Sequence, residues 1–439
     1  MATDPAPNLV FVTVDSLRAD HCGYVGAGTG PADDLTPTID RLADDGVAFT
    51  QAVAPGPRTP SSVPVFFTGE FMSDDPDWTM ADWQGRQGRI GRHMARFTHL
   101  SERLQRRGYE TATFTANPWT TRESNFHLGF DDFNEVSADS DDVQSSYLSD
   151  STLFKLADAG MEALPVDPVG WADKKEWFSQ WTGYFELLQE RLADLSEPFF
   201  LWAFVLDSHQ PYITPRRFRE ECAAWEMYYS ILRYWHGETA DEAIPPHARK
   251  MIAATYRDAV RSVDAFVDAV REATAPYDPV TVFCSDHGEA LGEHGNFGHE
   301  QTLYEENLRV PCFVHGTDTS ATVREQLPLR GLPELLVELT EPGAFAPRRH
   351  TRPFAVSQIE NNRVTAVRTT RWKLVTREDG ARLYDLQADP DETDDVQTDY
   401  PAVASALADL RDRHEATQAE KGATETATAD LVTAERGSL

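Results

Sequence analysis

Five stretches of the chain read as strands, residues 8–14, 108–115, 198–206, 280–284 and 308–314, of which 8–14 and 198–206 are apolar without alternation. Runs of this kind, bounded by turn residues, are what strands buried on both faces look like, as in the centre of a parallel sheet. Between them the period changes to that of helices. Thr36–Gly46 reads as a capped helix stopped by Gly46, a second helix is expected near Phe97–Arg107, and Pro246–Thr274 carries Tyr256, Val260, Val263 and Phe266 on one face. Trp171–Leu195 has amphipathic spacing, Trp225–Trp235 is an aromatic segment placed to cover a site, and Ser137–Asp150 is an acidic, Ser-rich surface loop. Strands alternating with helices predict an α/β fold with a large, mostly parallel central sheet flanked by helices. Beyond about residue 320 the pattern changes again. Short β-type runs at 354–358, 364–369, 373–376 and 382–386, separated by charged turns, predict a small antiparallel sheet followed by a helix near Pro401–Glu415. The expected division is a catalytic domain at 1–320, a C-terminal subdomain at 321–417 and a disordered Ala/Thr/Glu-rich tail at 418–439.

Charge narrows the function classes. The formal net charge is −32, with 34 arginines and only six lysines. Such a chain repels nucleic acid and anionic membranes, and its acids are spread along the sequence, which fits a solvated surface adapted to high salt. An anionic substrate needs local cations or a metal ion. The four cysteines are scattered without a CxxC pair, so reduced thiols are expected. With no apolar run of membrane-spanning length and no signal-like N-terminus, the expected location is cytoplasmic.

The candidate chemistry sits where the apolar runs end. The first run delivers Asp15-Ser16-Leu17-Arg18, the second Asn117, the third Asp207-Ser208-His209, and the fourth Asp286-His287-Gly288-Glu289, with His299 following. In α/β sheets ligands bind at the carboxyl ends of parallel strands. Asp beside His offers a hard oxygen and a borderline nitrogen to a divalent cation. Thr59, in Thr59-Pro60-Ser61-Ser62, stands at the entry to a helix. Taken alone it is a plain N-cap; beside a metal it is a nucleophile.

Together, Asp15-Ser-Leu-Arg-Ala-Asp, the Thr59 segment ending Thr68-Gly69, Asp207-Ser-His209-Gln-Pro-Tyr, Asp286-His287-Gly288-Glu, Tyr304-Glu and Arg309-Val-Pro resemble the sulfatase family of the alkaline-phosphatase superfamily. Trp372-Lys-Leu-Val and Leu383-Tyr-Asp-Leu resemble the C-terminal sheet of those enzymes, and the likeness runs in order from about residue 8 to 396. The resemblance implies an alkaline-phosphatase-like fold. Departures from it point to a neighbouring branch. Thr59 occupies the place of the Cys or Ser that sulfatases oxidise to formylglycine, and threonine cannot give that product. The motif's proline and arginine fall on Ser61 and Val63, the second acid of the opening pair is Ser16, and the lysine ahead of Tyr-Glu is His299. These changes are similar to the Thr-nucleophile phosphoethanolamine and phosphoglycerol transferases.

By that resemblance Asp15, Thr59, Asp286 and His287 bind one divalent metal, Zn²⁺ or Mn²⁺ by donor set, with Ca²⁺ or Mg²⁺ as alternatives. Thr59 attacks a phosphate mono- or diester. His209 and His299 hold anionic oxygens or protonate the leaving group, and Arg18, Asn117 and Ser62 contact substrate. Asp207, His209 and His299 are the candidate ligands of a second metal. The implied substrate is a small-molecule or glycan ester. Sulfate-ester hydrolysis and a non-catalytic binding role remain as alternatives, and oligomeric state is open.

Overall fold

A computed structural model of the chain describes residues 6–26, 34–72, 83–136, 180–240, 244–299, 302–341, 343–359 and 364–437. The expected loop at 137–150 and the first part of the Trp171–Leu195 segment lie outside the described residues. Within the latter, Phe185–Asp194 is helical.

In chain order the strands are β1 (Leu9–Val14), β2 (Val47–Val53), β3 (Glu110–Thr115), β4 (Asp132–Glu135), β5 (Phe199–Val205), β6 (Val280–Ser285), β7 (Ala290–Leu291), β8 (Phe297–Gly298), β9 (Arg309–His315), β10 (Ala321–Val323), β11 (Leu327–Pro328), β12 (Ala355–Gln358), β13 (Thr365–Arg368), β14 (Trp372–Arg377) and β15 (Gly380–Asp385). The large sheet has the order β10-β2-β9-β6-β1-β5-β3-β4, with β11 alongside β2. It is the mixed, mostly parallel sheet expected. Only β9 runs against its neighbours, β2 and β6.

The central strands are apolar throughout because each feeds two cores. Val10, Val12 and Val14 of β1, and Phe199, Leu201, Ala203 and Val205 of β5, enter the core that includes the helix Pro246–Thr274. The alternate residues Leu9, Phe11, Phe200, Trp202 and Phe204 enter the opposite core with Val63, Phe66 and Phe67 of the helix Thr59–Thr68. Period-two geometry turns a continuous apolar run into two buried faces.

Register then places the chemistry. Val14 lies opposite Val205 of β5 and Ser285 of β6, so the residues that follow these strands emerge at one level. The ladder extends one step further: the Asp15 N–H donates to the Val205 carbonyl at 2.9 Å, and the Asp286 N–H to the Val14 carbonyl at 3.1 Å.

The second sheet, β12-β13-β14-β15, is antiparallel. One face carries Val367, Leu374 and Leu383 against Ala404 and Leu407 of the last helix. The other carries Ala366, Val375 and Tyr384 against Leu303, Tyr304 and Leu308. It docks on the large domain through Glu305, which takes Arg368 at 2.7 Å and Lys373 at 3.2 Å, with Lys373 also on Glu392 at 2.9 Å.

Two expectations about boundaries change. The division at 320/321 falls inside the large sheet, because the short edge strands β10 and β11 pair with β2. The helix Leu332–Glu338 also belongs to the large domain, with Leu332, Leu335 and Leu336 in the core beside the Thr59–Thr68 helix. The last helix runs Pro401–Gly437, past Gln418, where a disordered tail was expected. An Ala- and Glu-rich stretch without proline suits a helix as well as a coil. Among the described residues no helix is long and apolar enough to cross a membrane. All four cysteines are free thiols.

Candidate active site

The site is assembled from the tips of four strands, β1, β3, β5 and β6, and one helix start, and its centre is fully buried. Asp15 and Asp286 face each other. Asp286 Oδ1 accepts the Ser16 N–H at 3.2 Å and the His287 N–H at 2.8 Å. Ser16 reaches this position in a left-handed conformation (φ 64°), unusual for a residue with a side chain. Its hydroxyl donates to Asp15 Oδ1 at 3.0 Å. The Thr59 hydroxyl donates to Asp286 Oδ2 at 2.9 Å and lies 3.3 Å from Asp15 Oδ2. Arg58, in extended conformation, is the N-cap of the helix that begins at Thr59, so the hydroxyl projects from a helix N-terminus where backbone donors favour negative charge.

His287 completes the cluster. Its Nδ1 bonds the Gly288 carbonyl at 2.9 Å. A carbonyl only accepts, so Nδ1 carries the hydrogen and Nε2 presents a lone pair. That Nε2 is buried without a hydrogen-bond partner, 3.4 Å from both Asp15 Oδ1 and Asp286 Oδ2. Burial, then the neighbouring His299, pushes the imidazole down to about 3, which keeps it neutral. Burial and the adjacent Asp15 push the Asp286 carboxyl well above the carboxylate range. A lone pair and two carboxylates converging on one dry point repel each other unless a cation sits between them. Among the described residues, Asp15, Asp286 and His287 are the one group of His, Cys, Asp and Glu side chains whose ligand atoms come this close, within 4.8 Å of one another. The donor set fits a divalent ion, with Thr59 Oγ1 as a fourth donor beside both acids.

Other expected residues are placed differently. Asn117 is in the site, but its Nδ2 donates to Asp15 Oδ2 at 2.6 Å and lies 3.3 Å from Thr59 Oγ1, so it orients acid and hydroxyl. Ser62 is not directed at a substrate: its hydroxyl donates to the Asp286 carbonyl at 2.6 Å and fastens the helix to the β6 tip. Arg18 is consumed by its neighbours. Its guanidinium meets both Asp20 carboxylate oxygens at 2.9 and 2.7 Å, Glu293 at 2.7 Å and the Glu289 carbonyl at 3.0 Å. Asp207 turns away from His209 and His299, accepting the Trp181 N–H at 3.1 Å and the Ser262 hydroxyl at 2.9 Å. Burial pushes its carboxyl up to about 7. Among the described residues, Asp207, His209 and His299 are not brought together as a metal-ligating group.

His209 and His299 do stand together beside the cluster. The His299 ring lies 4.9 Å from that of His209 and 4.6 Å from that of His287, centroid to centroid. Burial, followed by His209, pushes the His299 imidazole down to about 3. Its Nδ1 is 2.7 Å from Glu289 Oε2. Glu289 and Arg58 also belong to this surrounding. Glu289 is fully buried, and Arg58 is near enough to His299 to disfavour its protonated form electrostatically. The available signal for Arg58 was its place directly before the nucleophile candidate. For Glu289 no sequence signal distinguishes it from an exposed turn acid.

A family model described as Sulfatase matches residues 7–329. The chain belongs to the sulfatase family. This sulfatase-family chain is 30% identical over 218 residues to arylsulfatase K of Gallus gallus, a match covering 42% of this chain and 39% of that protein. It thus spans about two fifths of the length of that relative. A longer match, 23% identical over 347 residues, is to an arylsulfatase of Clostridium perfringens, covering 70% of this chain and 68% of the other. In fold it is similar to a phosphonate monoester hydrolase of Agrobacterium radiobacter, with a TM-score of 0.66, 19% identity and coverage of 94% and 96%. It is equally similar to a 2-O GAG sulfatase, with a TM-score of 0.67, 18% identity and coverage of 95% and 94%.

Proposed function

We propose that this sulfatase-family member is a metal-dependent hydrolase or transferase of phosphate mono- or diesters, with Thr59 as nucleophile. The observation that carries the reading is the Thr59 hydroxyl, 2.9 Å from Asp286 and 3.3 Å from Asp15 at a helix N-terminus. A divalent ion held by Asp15, Asp286, His287 and Thr59, Zn²⁺ or Mn²⁺ by donor type, supplies a lowered hydroxyl pKa and charge neutralisation at the ester.

The protein groups account for the rest. Asn117 and the two acids hold the Thr59 oxygen toward an incoming phosphorus. With its proton given up along the hydrogen bond to Asp286 Oδ2, the Thr59 oxygen attacks in line, forming the Thr–O–P bond and breaking the bond to the leaving oxygen, which takes a proton from His299 or His209. Water or an acceptor alcohol then releases the phospho-threonine. Arg58, directly before Thr59 and close enough to His299 to act on it electrostatically, is the cation assigned to the nonbridging oxygens. A threonine cannot become formylglycine, which favours phosphorus over sulfur. The named relatives are arylsulfatases, and sulfate-ester hydrolysis by unmodified threonine is the second reading.

The test is an assay in high salt with Mn²⁺ or Zn²⁺ on nitrophenyl phosphate, a nitrophenyl phosphodiester, a nitrophenyl phosphonate and nitrophenyl sulfate. Turnover of a phosphorus ester, reduced at least about a thousandfold in Thr59→Ala and abolished by a chelator, is the expected outcome. Turnover of the sulfate alone would overturn it.

A further inference from the structure

Glu289 is a fully buried acid outside the group that surrounds Thr59, and its contacts are specific. Oε2 meets His299 Nδ1 at 2.7 Å, and Oε1 accepts the Tyr212 hydroxyl at 2.5 Å. Its main chain is fixed as well: the N–H donates to the Glu306 carbonyl at 2.9 Å, and the carbonyl accepts Arg18 Nη1 at 3.0 Å. Tyr212 is itself buried, packed edge-to-face on Tyr256 at 5.2 Å, and the Tyr256 hydroxyl holds the Ser16 carbonyl at 2.7 Å. The chain of contacts therefore runs from the strand tip that carries Asp15, through two tyrosines and one carboxylate, to an imidazole beside His287.

An imidazole anchored at Nδ1 has one nitrogen left. Nε2 is the nitrogen that Glu289 does not engage, and the ring cannot rotate to withdraw it without breaking the bond to Glu289. In the form of the pair that carries two hydrogens, one shared with Glu289 and one on Nε2, that nitrogen donates.

Resting on the phosphoryl-transfer reading above, we propose that Glu289, braced by Tyr212, is the positioning residue for His299. On this proposal the pair adapts the site to esters of unactivated alcohols, such as sugar or polyol phosphates. In the step concerned the bond from phosphorus to the leaving oxygen breaks, that oxygen takes the hydrogen from His299 Nε2, and the hydrogen shared with Glu289 settles on Nδ1, leaving a neutral imidazole and a Glu289 carboxylate. The Nδ1 side of the ring is meanwhile held by the Glu289 carboxyl group. An acidic phenol leaves without this proton, whereas an alcohol does not. A positioned acid is useful in proportion to the basicity of the leaving group.

The experiment compares nitrophenyl and phenyl esters of the same phosphoryl group in Glu289→Gln, Tyr212→Phe, His299→Ala and the Glu289→Gln/His299→Ala double variant. Glu289→Gln should lose at least about thirtyfold more kcat/KM on the phenyl ester than on the nitrophenyl ester. Tyr212→Phe should lose less in the same pattern, and the double variant no more than His299→Ala. Equal losses on both esters, or additive losses in the double variant, would overturn the proposal. A downfield proton resonance from the Glu289–His299 bond gives a readout that needs no turnover. It should vanish in Glu289→Gln and His299→Ala and persist in Thr59→Ala, and its absence from the wild-type chain would also overturn the assignment. A Thr59→Ala variant that keeps its activity while the resonance behaves as expected would sink the nucleophile reading alone. Glu289→Gln is isosteric; if it does not fold, the Tyr212→Phe and His299→Ala arms decide.

Discussion

Single residues in this site are defined by their bonds more than by their identities. Asn117 was expected from its strand-tip position to meet a substrate oxygen, and it instead bonds Asp15 and Thr59. Asn117→Ala should therefore lower kcat about tenfold to a hundredfold, the worth of one charge-assisted hydrogen bond, while KM stays within about threefold. Steady-state kinetics on whichever ester is turned over checks this, and a rise in KM alone would return Asn117 to substrate contact. His93 makes a different kind of statement, away from the site. Burial, then the nearby Arg89, pushes it down to about 3 from 6.5. The unfolded chain binds that proton below about pH 6.5 and the folded chain does not, so stability is full above that pH and falls as pH drops toward 3, by up to about 1.4 kcal/mol per pH unit. His99 and His414, both pushed down to about 4 chiefly by burial, add the same sign. Urea melts between pH 7 and 5 should show the decline, with a shallower slope in His93→Gln.

At the scale of elements, the loop leaving β6 carries the tightest constraint. A Cβ on Gly288 would lie 2.0 Å from the Glu306 carbonyl oxygen, and the Gly288 N–H bonds the Asn307 carbonyl at 2.9 Å. The backbone must pass this close for His287 to face the acids, so Gly288→Ala should displace His287. The expected outcome is loss of tight divalent-cation binding, measured calorimetrically, together with a stability loss of about 1–3 kcal/mol from the forced overlap. Retained binding would mean that the loop can shift without moving the ligand. That a glycine follows Asp286-His287 is plain from the sequence. The neighbour that excludes a side chain is not, because Glu306 is brought there by the antiparallel return of β9. The same limit explains the domain boundary at 320. Three-residue and two-residue edge strands carry too little periodicity to be assigned to a sheet whose pairing partner lies more than 250 residues earlier.

The whole molecule is governed by its charge. With a formal net charge of −32, self-repulsion opposes compaction at low salt. Screening shortens from about 10 Å at 0.1 M to about 3 Å at 1 M. The melting temperature should therefore rise with KCl across that range, and a flat response would remove the case for a high-salt surface. The sequence by itself determined the buried strands, the mostly parallel sheet, the separate small sheet and the placing of Asp15 and Asp286-His287 at strand ends, while Thr59 joined them only through the family resemblance. These follow from local period and from residues that sit within one or two positions of a strand end or helix start, where geometry is short-range. Only the tertiary structure decided that Arg18 and Asp207 are spent on Asp20, Glu293, Trp181 and Ser262, and that Glu289 lies buried between Tyr212 and His299. A charge acquires its role from what the fold brings within 3 Å of it, and here those partners come from segments as far apart as 275 residues along the chain.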